Sequence, residues 1–252
     1  MRQWLIQLRN LVLPIAAIIA AWQGICALQL VNPVLFPSPA QVYQAAMDLA
    51  RSGVLFSDLA VSIRRAATGF VIGAALGILT GLLTSRIRFF AVGLTPLFNL
   101  LRPIPAVALV PLAVVWLGIG EESKYFVISY TVFLAVWLST HHGMAHVPEI
   151  YTRAAHSLGA SRWVEFFQVD IPASAAHIFA GLRFGAAFAF LSLVAAELTG
   201  ASAGIGYRLE EARQYILVDR MFVGLIQLGV LGAALDALFV WIGRKVVHWD
   251  HA

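Results

Sequence analysis

Six long apolar stretches, separated by short polar or proline-rich punctuation, set the pattern of this chain. They run over about 11–31, 60–84, 94–117, 124–144, 175–199 and 221–242. Each is roughly 20 residues or more, the length at which an α-helix crosses the hydrocarbon core of a bilayer. The fold class this predicts is all-α integral membrane, about six transmembrane helices in a single domain over 1–252. Arg2 and Arg9 precede the first stretch in the manner of a signal peptide. The stretch is long for such a segment and no A-x-A site ends it, so it reads as an uncleaved first span.

The punctuation adds detail. Asn32-Pro33 and Pro37-Ser38-Pro39 form a loop, and the mixed segment Ala40 to Arg51 predicts a short helix at the membrane surface. In the second stretch Gly69, Gly73, Gly77 and Gly81 recur every four residues, which places all of them on one helix face and lets another helix approach closely. The third contains Arg102-Pro103-Ile104-Pro105 and then Pro111; prolines so spaced remove backbone donors and break helix regularity. A longer, more polar connection, about 146–174, follows the fourth stretch. Gly200 to Asp219 reads as a Gly-rich, then charged, loop, with Gly200 to Gly206 a flexible turn between spans, and Arg244-Lys245 anchor the end of the last span.

Composition narrows the class. The 252 residues are 60% hydrophobic and only 12% charged, with a mean hydropathy of +0.83. A soluble domain carries about twice that charged fraction, so a water-facing surface cannot be built and membrane lipid is the surrounding medium. The net charge of +4 comes from scattered residues with no Lys/Arg run, which points away from nucleic acid. The positive bias of alternate loops weakly favours a cytoplasmic N-terminus. Cys26 is the only cysteine, so no intrachain disulfide forms. The only lysines are Lys124 and Lys245, and no G-x-x-x-x-G-K-[ST] phosphate loop surrounds either; the chain does not hydrolyse ATP itself. No internal repeat is visible, so a two-halved pathway needs two copies or a sister chain.

The segment richest in chemistry lies in the 146–174 connection. Arg153-Ala154-Ala155-His156-Ser157-Leu158 predicts a short helix with a small-residue face. Gly159 permits a sharp turn, Ala160 follows, and Ser161 can cap a second helix carrying Trp163, Phe166 and Phe167 that Pro172 ends. These residues resemble the EAA loop of ABC-transporter permeases: Glu-Ala-Ala, three residues, Gly, nine residues, Ile-x-Leu-Pro. Ala154, Ala155, Gly159 and Pro172 stand at the required separations, Val169 and Ile171 are conservative replacements, and Arg153 departs from the usual Glu. Phe36-Pro37-Ser38-Pro39, Leu101 to Pro105, Leu109 to Leu112, Trp116 to Gly120, Val194 to Glu197 and Ala203 to Tyr207 are similar to the nitrate/sulfonate/taurine-type importer permeases.

That resemblance implies a type I ABC importer permease in a bacterial inner membrane, with the loop cytoplasmic and docked on an ATPase subunit. It implies two ATPase copies holding ATP and Mg, a second permease copy, and an external solute-binding protein. The solute implied is an aliphatic sulfonate, taurine or nitrate-type anion; bicarbonate and thiamine-precursor importers use similar permeases. No cofactor is expected in this chain.

Arg102 and Glu197 are ionisable groups near membrane depth, where charge is costly and faces an interior or a water-filled path. With Pro103 and Pro105 they are candidates for the translocation path; the structural alternative pairs them with each other or with freed backbone groups. Asp236 reads as a helix-packing or subunit contact, and Arg183 as snorkelling toward the cytoplasmic surface. His141, His142 and His146, with Glu149, invite a zinc reading, but these are read as interfacial histidines and no metal site is assigned. A secondary transporter and a membrane metalloenzyme are the rival classes.

Overall fold

A computed structural model describes residues 2–246, with side chains over 13–245; Arg2 and Arg9 lie outside the described side chains. Every regular element among these residues is helical. Helix α1 (Arg2–Ala27) is followed by α2 (Pro39–Arg51). Ser38 begins α2 with a reciprocal cap: it accepts from the Gln41 N–H, and the Gln41 side chain accepts from the Ser38 N–H. Next come α3 (Val54–Arg86), α4 (Arg88–Leu101), α5 (Ala106–Leu117), α6 (Glu121–Ala145) and α7 (Glu149–Ser157). Then α8 (Arg162–Glu165) passes through a π-helical turn, Phe166–Asp170, into α9 (Ile171–Gly200). Helices α10 (Ile205–Gln214) and α11 (Val218–Val246) complete the chain.

Helix α6 sits between α3 and α9, and this triple layer is the core. Cβ atoms added at Gly69, Gly73, Gly77 and Gly81 would fall 2.5–2.8 Å from atoms of α6 between Ile128 and Thr140. The missing side chains let the two backbones touch along the seam. Gly143 of α6 meets His177 of α9 in the same way, and Gly181 and Gly185 of α9 meet Ser139 and Val136. Ile128, Val132, Val136, Trp137 and Leu193 are completely buried between these helices. Helix α11 rests against α2, α9 and α10, with Trp22 of α1 stacked on Phe222 at 5.2 Å.

Four departures from the apolar pattern have physical causes. Helix α3 starts at Val54 rather than near 60, because Asp58, Ser62 and Arg65 are satisfied inside the fold by Glu197, Glu121, Arg208 and the Gly204 and Ile205 backbone. The third apolar stretch is two helices meeting at 104°, bent where Pro103 and Pro105 supply no N–H. The expected loop from Gly200 to Asp219 contains α10, anchored by side-chain contacts to α3 and α9. Pro172 does not end a helix: the preceding π-turn accommodates it, and one helical rod runs from Arg162 to Gly200. By length and composition, Val54–Arg86, Arg162–Gly200 and Val218–Lys245 can each cross a bilayer, and the bent α4–α5 pair adds a fourth crossing if counted as one.

Candidate functional site

The 146–174 connection folds as a hairpin of short helices. Helix α7 closes through two bonds, Ala160 N–H to Ala155 C=O at 3.0 Å and Gly159 N–H to His156 C=O at 2.9 Å. This paired closure needs a left-handed residue after the cap, and Gly159 supplies it with φ +78°. Space around Gly159 is open, so the backbone conformation and not crowding demands glycine. Ser161 Oγ then accepts from the Val164 N–H and starts α8. His156 Nε2 and Glu165 Oε2 lie 2.8 Å apart and tie the two arms together. Arg86, at the end of α3, pairs with the buried Asp170 and fastens the hairpin to the bundle. Arg153 makes only an exposed contact to Glu149, one helical turn away at 2.7 Å. Ala155 is buried, Ala154 is exposed, and the tip leaves Leu158 88%, Trp163 74% and Ile150 70% exposed. Large apolar side chains on a surface knuckle form a surface that another molecule can cover.

Arg102, Pro103 and Pro105 line a cavity of about 440 Å³ at the α4–α5 bend. Its far walls are Tyr130, Thr131 and Leu134 of α6 and Phe188 and Ser192 of α9. Tyr130 donates to the Leu101 C=O at 2.6 Å and so holds the broken end of α4 in place. Thr131 and Ser192 hydroxyls are 3.0 Å apart across the α6–α9 seam. Among the described residues the exposed Arg102 side chain makes no hydrogen bond or ion pair, and its backbone N–H donates to the Phe98 C=O at 3.0 Å.

Glu197 is elsewhere, and its pairing with Arg102 is not what the structure contains. Its carboxylate is buried and accepts from Ser62 Oγ at 2.8 and 2.9 Å, Arg65 Nη1 at 2.9 Å and the Gly206 N–H at 2.9 Å. Arg65 reaches on to both oxygens of Glu121 at 2.6 and 2.8 Å and to the Ala203 C=O at 2.6 Å. Asp58 accepts from the Gly204 N–H and from Arg208 Nε. Burial works against the Arg208 charge, but its bonds to Asp58 and Glu211 prevail and raise its pKa above the ordinary arginine value. Gly204 is required twice: φ is +117°, and a Cβ would fall 2.4 Å from Glu197 Oε1. The cluster joins α3, α6, α9 and α10 and leaves no Glu197 oxygen for a path. Sequence reading passed over Asp58, Ser62, Arg65, Glu121 and Arg208. The signal was present in the spacing, since 58, 62 and 65 share the α3 face that continues into Gly69.

Arg183 pairs with Asp236 of α11 at 2.8 Å. His141 is used structurally, with Nδ1 3.0 Å from Thr84 Oγ1, which also accepts from Trp137 Nε1. Among the described residues no three His, Cys, Asp or Glu side chains are grouped to hold a metal.

The model for binding-protein-dependent transport system inner membrane components matches residues 73–248. The chain belongs to that family. The putative aliphatic sulfonates transport permease protein SsuC of Bacillus subtilis (strain 168) is 35% identical over 97% of this chain and 88% of its own length. The taurine transport system permease protein TauC of Escherichia coli (strain K12) is 31% identical over 93% and 87%. The nitrate import permease protein NrtB of a Synechocystis strain is 31% identical over 92% and 87%. Among solved structures, the inward-facing MetNI methionine ABC transporter superposes with TM-score 0.60 at 19% identity, covering 77% of this chain and 95% of that one, which shows the shared fold. The chain is therefore an inner-membrane ABC importer permease of the type I fold.

Proposed function

We propose that this permease is the membrane subunit of an ATP-driven importer for a small anion of the aliphatic sulfonate, taurine or nitrate type. The observation that carries the reading is the α7–α8 knuckle, with Leu158, Trp163 and Ile150 uncovered on a turn that Gly159 fixes. An ATPase subunit covers those side chains. Two permease copies flank the path, two ATPase subunits bind Mg and ATP, and a solute-binding protein delivers the anion outside. Six spans with both ends cytoplasmic place the knuckle on the ATPase side. Closure of the ATPase pair pulls on α7, and the Arg86–Asp170 contact passes the movement to α3. The substrates of SsuC, TauC and NrtB, as their names give them, support the anion class.

A photo-crosslinking residue at Leu158 tests this. The expected product joins the permease to the co-expressed ATPase subunit. An ATPase that purifies with the permease but never crosslinks from the knuckle rejects the docking site.

A further inference from the structure

The cavity at the α4–α5 bend holds an arginine, Arg102. Thr131, on its wall, lies 10 residues from Glu121 and 14 from Ala145 along α6. At 1.5 Å per residue that is about 15 Å from one end of the helix and about 21 Å from the other, inside the hydrocarbon depth. A guanidinium without a partner at such depth is sustained by water or by an anion. Among the described residues the cavity wall contains no Asp or Glu. The other membrane-depth arginines differ: Arg65 is neutralised by Glu121 and Glu197, and Arg183 by Asp236. Arg102 is thus the one among these three whose charge is not already answered by this chain.

The surroundings suit a small oxyanion. The walls combine Arg102 with apolar Leu134, Phe188 and Leu191, while the Tyr130, Thr131 and Ser192 hydroxyls are already bonded within the chain, which leaves the guanidinium as the group that faces an anion. The first turn of α5 starts at the wall with Ala106 and Val107 and adds positive potential of the same sign. About 440 Å³ accommodates a small anion with several waters.

We propose that this cavity is a hydrated anion station on the path, in which Arg102 selects small sulfonate- or nitrate-like oxyanions over cations. The inference rests on the reading of the chain as an anion importer, and deepens it by assigning charge selection to one residue of the membrane subunit. The station binds weakly enough to release its anion, because Arg102 is exposed to the cavity and not sealed against it.

The test uses the assembled complex in membrane vesicles, with Cys26→Ser removing the native thiol and Val107→Cys placing one on the cavity wall. Two methanethiosulfonate reagents are compared, one carrying an ethanesulfonate head and one an ethylammonium head. The sulfonate reagent should label position 107 about 10-fold faster than the cationic one, relative to their rates on a free thiol. Arg102→Gln should abolish that preference and Arg102→Lys should retain it. Equal rates with Arg102 present, a preference that survives Arg102→Gln, or no labelling by either reagent would each overturn the proposal. Uptake of ethanesulfonate, nitrate and bicarbonate by the unsubstituted complex is measured alongside. Failure to take up any of them counts against the anion-importer reading itself, whereas normal uptake with no charge preference at position 107 counts against the Arg102 station alone.

Discussion

Replacing Glu197 by Gln should damage assembly of the fold before it touches transport. The side chain keeps its size but loses its charge and one acceptor. Oε1 accepts from Arg65 and Ser62, and Oε2 accepts from Gly206 and Ser62. Whichever way the new amide is turned, its NH2 faces either the Arg65 Nη1 donor or the Gly206 N–H donor. One buried donor is left unpaired at a cost of about 1–3 kcal/mol, and Arg65 keeps only Glu121 to balance its charge. A net loss of about 3 kcal/mol corresponds to roughly 6–12 °C in melting temperature for a chain of this size. Removing Arg65 instead strands the buried Glu197 carboxylate and should cost more, about 3–5 kcal/mol. The assay is the melting temperature of detergent-solubilised protein, followed by the fraction remaining monodisperse after heating. Arg65→Ala and Glu197→Ala combined should cost much less than the sum of the two, since they share one interaction. A Glu197→Gln protein melting within 2 °C of the unsubstituted chain, but defective in uptake, would refute the structural assignment and return Glu197 to the path (that threshold is about 0.5–1 kcal/mol).

Other substitutions probe separate parts of the account. Gly77→Ala places a Cβ 2.8 Å from that of Val136 and 2.9 Å from the Phe133 carbonyl oxygen, so it should cost about 1–3 kcal/mol, whereas Gly93→Ala, with open space around it, should leave the melting temperature unchanged. Gly159→Ala forces a left-handed conformation worth about 1–2 kcal/mol on a residue with a Cβ, and should reduce the amount of ATPase recovered with the permease; Gly159→Asn should restore most of it. Arg86→Gln leaves Asp170 buried without its ion pair, and Asp170 Oδ1 already lacks a partner, so ATPase recovery should fall; adding Asp170→Asn should recover part of the loss.

The α3 seam was legible because period-four glycines carry a geometric meaning that survives without coordinates. The same stripe extends upward through Arg65, Ser62 and Asp58 and downward to Thr84, but apolar-stretch reading cut it off at residue 60. Polar residues that satisfy one another inside a bundle look like loop residues in a hydropathy pattern. The Gly159 turn was readable for a related reason: a left-handed closure leaves glycine as its mark. The partners of Glu197 were not legible because a single buried charge announces a need for partners without naming them, and they lie 132 and 135 residues away and on the Gly206 backbone. Pro172 shows the limit of a local rule, since the π-turn that absorbs it has no composition of its own. The 104° bend was foreshadowed by Pro103 and Pro105, but the Tyr130 bond to the Leu101 C=O at the broken end of α4 was not.

The central claim is that this chain moves a small anion only as part of an ATP-driven assembly. The most direct measurement reconstitutes the permease, its ATPase and its binding protein into liposomes and follows labelled ethanesulfonate, taurine and nitrate. The account predicts accumulation of at least one of them that requires all three proteins and internal Mg-ATP, and that stops when any one is omitted. Accumulation by the permease alone, driven by a proton or sodium gradient and indifferent to ATP, would contradict it.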